Sequence, residues 1–320
     1  MPRIKLILSI SLCLLLLAAV PGCLPAANTL KKIPAFDGEY AFDMLKKQVD
    51  IGPRFPDSPG HKAASEFIQA QLKSYADEVY VQEFSRDVFG KKVKMQNIIA
   101  QFNPNAKKWV LLAAHWDTRP IADQEVTEEN KKTPILGAND GASGVAVLLE
   151  LARMFANKRP DVGVFMVFFD GEDYAVSEST ARQTMFMGST YFAKNLKNSA
   201  VVGGKPVKFE YGILLDMVGD KNLRIPQEKA SVEAAPEVVK KVWNMADKLG
   251  HKDVFVPEAN QSIMDDHIPL IQAGVKCIDI IDFSYAPWHT LDDTVDKCSP
   301  HSLKTVGEVV AHVIYEENAN

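Results

Sequence analysis

The feature that most limits the fold of this chain is the regular alternation of short apolar runs with amphipathic helical patterns. Runs typical of β-strands occupy residues 97–102, 109–114, 162–169, 211–215 and 275–281. Patterns typical of α-helices cover residues 36–49, 61–75, 141–156, 191–198, 236–249 and 302–315. Such alternation builds parallel sheets, because each helix returns the chain across the sheet. We therefore predict an α/β fold, a three-layer sandwich with a mixed, mainly parallel central sheet and helices on both faces.

One segment departs from this alternation. Two strand-like stretches flank Gly90 and Lys91, and so short a connection joins antiparallel strands. We expect this hairpin to extend one edge of the sheet. No repeat or low-complexity linker interrupts the chain beyond its first 35 residues, so residues 36–320 are predicted to form a single domain.

The N-terminal segment has the pattern of an export signal. Arg3 and Lys5 precede an apolar run that ends near Ala19 and is short for a membrane-spanning helix. Small residues lead into Cys23, as in a bacterial lipobox. We predict a lipoprotein-type signal peptide over residues 1–22, a tether over 23–35 and a lipid anchor on Cys23. The expected location is the periplasm, on a membrane; the alternative is a periplasmic or secreted protein without the anchor.

Charge and cysteine content limit the partners and the covalent chemistry. The net charge is -5, and lysines and arginines form no run longer than a pair. Nucleic-acid-binding proteins carry clustered positive charge, so we expect no nucleic-acid partner. Beyond the leader, the cysteines are Cys277 and Cys298, and the sequence leaves open whether they form a disulfide.

Polar side chains of metal-ligand type gather where the predicted strands end. His115 and Asp117 follow one apolar run, Glu172 and Asp173 follow the next, and Asp216 closes another. Open α/β sheets bind ligands at the carboxyl ends of their strands. Zinc takes imidazole and carboxylate ligands, with three from the protein when it is catalytic. The candidate ligands are His115, Asp140, Asp173, Asp216, His267 and His289.

The stretch FFDGEDY crowds Asp170, Glu172 and Asp173 around Gly171, directly after a buried run. Carboxylates this close repel one another and resist burial, so a bound cation or a proton-transfer role is one explanation. A solvated turn is the other. Several polar residues elsewhere have simpler interpretations. Asp140 is also a candidate helix N-cap, Asp292 and Asp293 are interpreted as turn formers, and His61, His251, His301 and His312 as surface or packing residues without acidic partners.

The chain contains, in this order, the motifs AAHWDT, GANDGASGVAVLLELAR, FFDGEDY, LLDMVGD, DDHIPLIQAG and WHTLDDT. Together they resemble the zinc aminopeptidase family, and most closely its bacterial glutaminyl-peptide cyclotransferase branch, over about residues 36 to 315. The resemblance implies a zinc exopeptidase-like catalytic domain that acts on peptide or protein N-termini. It implies that Asp140, Asp173 and His289 hold one zinc ion.

The resemblance also implies roles for the remaining site residues. Glu172 matches the general acid/base, Asp216 and Asp265 match acids near the substrate amide, and Trp288 matches a wall of the substrate pocket. The implied reaction converts N-terminal Gln to pyroglutamate and releases ammonia. If Asp216 and Asp265 are adjacent, we expect them to share a proton, because like charges in contact do not both ionise easily.

A two-zinc aminopeptidase is the alternative. In that interpretation His115 and Asp216 bind a second ion bridged through Asp140, whereas with one zinc ion His115 is a hydrogen-bonding residue. In either case we expect Asp117 to orient His115. Trp288 and the segments HWDTRP and DDHIP favour the cyclase, whereas YAVSEST lacks a second pocket tryptophan found in some cyclases. A catalytically inactive binding lipoprotein is a third hypothesis, which loss of a ligand or of the acid/base would favour; all of these residues are present.

Overall fold

A mixed six-stranded sheet forms the centre of the fold. In the computed structural model, the described residues are Pro2 and residues 30–196, 207–259 and 261–318. The strands are β1 (Glu78–Val88), β2 (Lys91–Phe102), β3 (Trp109–His115), β4 (Gly163–Phe169), β5 (Phe209–Asp216), β6 (Ile225–Gln227), β7 (Phe255–Ala259) and β8 (Cys277–Ile281). The helices are α1 (Gly38–Asp50), α2 (Pro59–Lys73), α3 (Ala142–Asn157), α4 (Ala181–Thr184), α5 (Met187–Asn195), α6 (Lys229–Ala234), α7 (Pro236–Lys248), α8 (His267–Gln272) and α9 (Pro300–Glu316).

The strand order is β1-β2-β4-β3-β5-β8, and β6 pairs with β7 in a separate small sheet. Strands β4, β3, β5 and β8 run parallel, whereas β1 pairs antiparallel with β2, and β2 with β4. Phe89 and Gly90, which join β1 to β2, both have positive φ angles, 50° and 82°. Two such residues give a turn whose twist suits a hairpin. The predicted antiparallel hairpin at the sheet edge is confirmed.

Helices cover both faces of the sheet. On one face α3 lies so close that a Cβ added at Gly144 would lie 3.0 Å from the Cβ of Ala114. On the other face Phe192 of α5 and Leu270 of α8 pack with Leu111 and other strand residues. Every residue of β4 is buried, which explains its continuous apolar run, because a strand covered on both faces has no polar side. The predicted three-layer α/β sandwich is confirmed.

The structure adds short elements to those that the sequence predicted. Strands β6 and β7 and helices α6 and α8 have six residues or fewer, too few for a clear periodic pattern. Cys277 and Cys298 are both buried and free, so they form no disulfide with each other.

Contacts divide the chain at residue 30, and Lys31–Asn320 forms one compact unit. The predicted signal peptide, apart from Pro2, and residues 23–29 of the predicted tether lie outside the described residues. The backbone N–H of Lys31 donates to Glu316 at 2.6 Å, and Lys158 donates to the Lys32 carbonyl at 2.6 Å. The end of the tether is therefore held on the folded unit. Within the described part of the chain, no helix has the length and apolarity that crossing a membrane requires.

Candidate metal and proton-transfer site

The carboxyl ends of β3, β4 and β5 meet the loop after β8 at one edge of the sheet. His115 ends β3, Asp216 ends β5, residues 170–173 follow β4 directly, and His289 lies beyond β8. Two sets of buried side chains lie here, and within each set the possible ligand atoms are all within 4.8 Å of one another. The first ligand group is Asp140, Asp173 and His289, and the second ligand group is His115, Asp140 and Asp216. The two groups share Asp140.

The first ligand group combines one imidazole with two carboxylates. His289 Nε2 lies 3.6 Å from Asp140 Oδ2 and 3.5 Å from Asp173 Oδ1. Asp173 Oδ2 is buried and has no hydrogen-bond partner. His289 adopts a φ of 56°, a conformation that costs a non-glycine residue about 1–3 kcal/mol and persists only where its surroundings impose it. This donor set and the orphaned oxygen fit a zinc ion.

The second ligand group is built around the ring of His115. Its Nε2 lies 3.0 Å from Asp140 Oδ1 and 3.3 Å from Asp216 Oδ1. Gly141 lets the ring lie against the start of α3, because a Cβ there would sit 2.4 Å from His115 Nε2. No side chain caps α3 at its N-cap position, which is Gly141. Asp140 therefore faces both histidines and does not serve as the helix cap.

The turn after β4 directs neighbouring side chains apart. Gly171 has a φ of 68°, and a Cβ there would lie 2.5 Å from Met95 Sδ, so the position requires glycine. The carboxylate of Asp117 accepts hydrogen bonds from the backbone N–H groups of Glu172 and Asp173, at 3.1 and 3.2 Å. Asp117 thus fixes the turn. Its distance to His115 Nδ1 is 3.7 Å, too long for the orienting hydrogen bond that the sequence analysis expected.

Asp170 connects the same turn to α2 and β2. It accepts hydrogen bonds from His61 Nε2 at 2.8 Å and from the Gln96 backbone at 2.7 Å. The His61 ring also stacks on Trp116 with centroids 4.5 Å apart. The expectation that His61 has no acidic partner is wrong, because α2 brings it to a strand end that is distant in sequence; His251 likewise lies 3.3 Å from Glu308.

Adjacent residues of this turn have pKa values shifted in opposite directions. Burial raises the pKa of Glu172 well above its ordinary value, although His115, 3.7 Å away, opposes the shift. Burial would also raise the pKa of Asp173, but the charges of Arg119 and His289 outweigh it and lower that pKa. Such a divergence separates a group that exchanges protons from one that stays ionised.

A further buried set consists of Asp265, His267 and Asp279. Burial, followed by the charge of Asp216, raises the pKa of Asp265 to about 6. Burial and the charge of Asp265 raise the pKa of Asp279. The charge of Asp216 therefore acts on Asp265 in the direction that a shared proton requires, and the sharing of one proton between these two residues stays a prediction. His267 Nε2 lies 3.3 Å from Glu228.

Asp293 has a structural role that the sequence analysis missed. It is buried and accepts hydrogen bonds from the backbone of Asn139 at 2.8 Å, the backbone of Asp140 at 3.1 Å and the Tyr285 hydroxyl at 2.8 Å. Its backbone N–H closes a turn on the Thr290 carbonyl at 3.3 Å, as expected, and its side chain also ties the loop after His289 to the loop that carries Asp140. Burial, followed by the charge of Asp140, raises the pKa of Asp293 to about 7.

Arg119 and Asp123 are further residues of the site to which the sequence analysis gave no role. Arg119 contacts Asp173, and Asp123 lies 3.1 Å from His289 Nδ1. Trp288 is half-buried, and its ring stacks on His289 with centroids 3.8 Å apart and lies 5.0 Å from the Phe283 ring. These aromatic rings border the first ligand group.

Comparisons with known proteins agree with this arrangement. The family model for peptidase family M28 matches residues 97–314. The chain is 26% identical over 302 residues to glutaminyl-peptide cyclotransferase of Bos taurus, which covers 84% of this chain and 81% of that protein. It is 39% identical to a crystallised glutaminyl cyclase of Bacteroides thetaiotaomicron bound to N-acetylhistamine, with 90% and 100% of the chains covered and a TM-score of 0.84. A leucine aminopeptidase precursor of the same species is also 39% identical, with 91% and 100% covered and a TM-score of 0.85.

Proposed function

Because the chain belongs to peptidase family M28, we propose that its site acts on the N-termini of peptides. The protein is a glutaminyl-peptide cyclotransferase, which converts N-terminal Gln to pyroglutamate and releases ammonia. Similarity to the bovine cyclotransferase over most of both chains supports this reaction over peptide hydrolysis. Within the site, the observation that carries the proposal is that Glu172 stays outside the first ligand group while its neighbour Asp173 belongs to it.

One zinc ion is proposed in the first ligand group, held by Asp140, Asp173 and His289. When bound there, zinc polarises the γ-carbonyl of the substrate glutamine and stabilises the negative charge that develops on its oxygen. The support is the buried imidazole and carboxylate set and the orphaned Oδ2 of Asp173. The wall of the substrate pocket is assigned to Trp288, whose ring covers His289 and excludes water from that side of the site.

Glu172 is proposed as the general acid/base. Its carboxylate takes a proton from the α-amino group, whose nitrogen attacks the γ-carbonyl carbon. The bond from that carbon to the amide nitrogen then breaks, and Glu172 returns the proton to the departing ammonia. Its raised pKa makes it a stronger base than an exposed carboxylate. Asp216 and Asp265 are proposed to hold the amide and the leaving nitrogen. Both are buried, the charge of Asp265 acts on Glu172, and Asp216 Oδ1 lies 3.3 Å from His115 Nε2.

A two-zinc aminopeptidase is the second candidate, since the second ligand group also presents one imidazole and two carboxylates. In that case His115 and Asp216 would hold another ion together with Asp140, which belongs to both ligand groups. The similarity to the leucine aminopeptidase precursor of Bacteroides thetaiotaomicron favours this candidate.

We also propose that the protein is exported and anchored to a bacterial membrane by lipid on Cys23, as a periplasmic lipoprotein. The support is the leader pattern that ends at Cys23. Incorporation of radiolabelled palmitate should be lost in Cys23→Ser; incorporation that survives this change would exclude an anchor at that residue.

The proposed reaction is tested with two peptides, one beginning with Gln and one with Leu, incubated with the zinc-loaded protein and followed by mass spectrometry. A cyclase removes ammonia, about 17 Da, from the Gln peptide only, and Glu172→Gln lowers the rate by about 10²- to 10⁴-fold. Release of the first residue from the Leu peptide would establish the aminopeptidase. Inactivity on both peptides would favour a binding protein.

A further inference from the structure

Arg119 lies in the loop after β3 and is almost completely buried, with 2% of its surface exposed. Its Nε and Nη2 donate to both carboxylate oxygens of Asp123, at 2.9 and 2.8 Å. Its remaining terminal nitrogen, Nη1, donates to Oδ1 of Asp173. One guanidinium thus joins two carboxylates from different parts of the chain, a geometry that its planar fork permits and a lysine does not.

Asp123 continues this contact to the histidine of the first ligand group. Its Oδ1 lies 3.1 Å from His289 Nδ1, which is ion-pair distance, although Nδ1 forms no hydrogen bond in this arrangement. A proton held at Nδ1 leaves the lone pair of Nε2 for the metal, and carboxylates that fix a ligating histidine in this way also raise its basicity. The other ring nitrogen, Nε2, is the one that faces Asp140 and Asp173.

From these contacts we infer that Arg119 and Asp123 form a clamp that positions Asp173 and His289 for the metal. Arg119 holds one oxygen of Asp173 and leaves Oδ2, buried and without a partner, for the ion. Asp123 holds one nitrogen of His289 and leaves the other. Both ligands are thereby oriented before the ion binds, which lowers the entropy lost on binding.

The formal charges of the clamp and of the two carboxylates of the first ligand group together match a single divalent ion. Asp123, Asp140 and Asp173 bring three negative charges, and Arg119 brings one positive charge. The sum is two negative charges, which one zinc ion offsets.

The clamp is tested by zinc affinity, measured in competition with a chromophoric chelator without any peptide substrate. Removal of a residue that contacts and orients a metal ligand typically weakens the affinity for the metal by about 10- to 100-fold. We expect this loss in Arg119→Lys, which cannot bond both carboxylates, and in Asp123→Asn. The matched control is Arg153→Lys, because Arg153 also makes a two-pronged bond, to Glu150 on α3, at 2.6 and 2.9 Å. That control should keep the affinity of the wild type.

An unchanged zinc dissociation constant in folded Asp123→Asn would overturn the inference, and so would an equal loss in Arg153→Lys, which would indicate general destabilisation. If Arg119→Lys does not fold, the near-isosteric Asp123→Asn decides alone. A second measurement uses cobalt in place of zinc. The visible spectrum of bound cobalt should change in Asp123→Asn if Asp123 positions His289, and an identical spectrum would contradict the clamp. The inference rests on the proposed metal site, yet it can fail while peptide cyclisation is confirmed.

Discussion

The two ligand groups share Asp140 but differ in their surroundings. On the side of the first group, Arg119 and Asp123 contact Asp173 and His289. A positive side chain there partly offsets the carboxylates. It donates a hydrogen bond to Asp173, and Asp123 lies at ion-pair distance from His289. The first group is therefore arranged for a cation, which supplies the rest of the charge balance.

The second group borders mainly on acids. His115 Nδ1 lies 3.7 Å from both Asp117 and Glu172. Burial raises the pKa values of Glu172 and Asp216. Burial would lower the pKa of His115, but the nearby carboxylates, Glu172 first, raise it well above its ordinary value. These shifts favour bound protons on this side, which would offset the excess negative charge.

The difference between the two groups shows how the shared carboxylate of Asp140 can take part both in cation binding and in a site that holds protons. A cation on one side fixes charge in place, whereas protons on the other side can move during a reaction. A second zinc ion would displace those protons, so the two uses of the second ligand group exclude each other. We therefore expect the active form to hold one ion.

The strongest way to break this comparison is to remove one histidine from each group. We expect His289→Ala to weaken zinc binding by more than about 100-fold, since loss of a ligand costs more than loss of the partner behind it. His115→Ala should keep close to one zinc ion per chain after dialysis. Metal content is measured by elemental analysis on variants whose circular dichroism matches the wild type. Equal zinc loss in the two variants would contradict the division between the groups.

A second prediction concerns protons stored beside the second group. The pKa of Asp265 is raised from 3.8 to about 6. Between these values the folded protein keeps a proton that the unfolded chain has released, so the stability due to this group is present below about pH 4 and lost as the pH rises to about 6. The free energy of unfolding of Asp265→Asn, compared with that of the wild type, should therefore be about 2–3 kcal/mol higher at pH 7 than at pH 4.

This shift is measured by urea unfolding of both proteins at pH 4 and pH 7, with a chelator present. The control is Asp43→Asn, because Asp43 is exposed and its hydrogen bond with Lys47 lowers its pKa. That variant should change in the opposite direction and less. A gain in Asp265→Asn that is the same at both pH values would show that no proton is held there.

The smallest expected effect is inhibition by excess zinc, which tests whether the second ligand group holds protons in the active enzyme. Excess zinc should inhibit the enzyme several-fold by entering the second ligand group. Because the ion must displace protons, its apparent affinity should rise by about tenfold per pH unit for each proton displaced. Initial rates of cyclisation, measured in zinc buffers at pH 6 and pH 8, test this. Inhibition that is equally strong at both pH values would indicate a site without bound protons.

Much of the fold was predictable because its strands are buried on both faces. Strand β4 is apolar throughout, and this apolar run in the sequence ends where the polar turn begins. For the same reason Glu172 and Asp173 were recognisable as candidates, since each follows a strand end. The bounds of α5 were predicted less well: it begins at Met187, after Phe186 with a φ of 57°, and neither residue marks a helix start in the sequence.

The contacts that support the site were not predictable in the same way. Arg119 and Asp123 lie in a loop, where no periodicity reveals which side chains face inward. Asp293 follows another acid in a stretch typical of a turn, and only the fold shows that it bonds to the backbone of Asp140. His61 and Asp170 are 109 residues apart. Such pairs are formed by tertiary structure, which local sequence patterns do not encode.

The sheet order described above also bears on how the protein matures. Neither ligand group exists until β3 lies between β4 and β5, and His289 joins only after β8 has docked on β5. Such long-range pairing makes folding slow, and an ion that binds only the finished site stabilises the native state without guiding the search for it. We therefore expect metal loading to follow folding of the sheet.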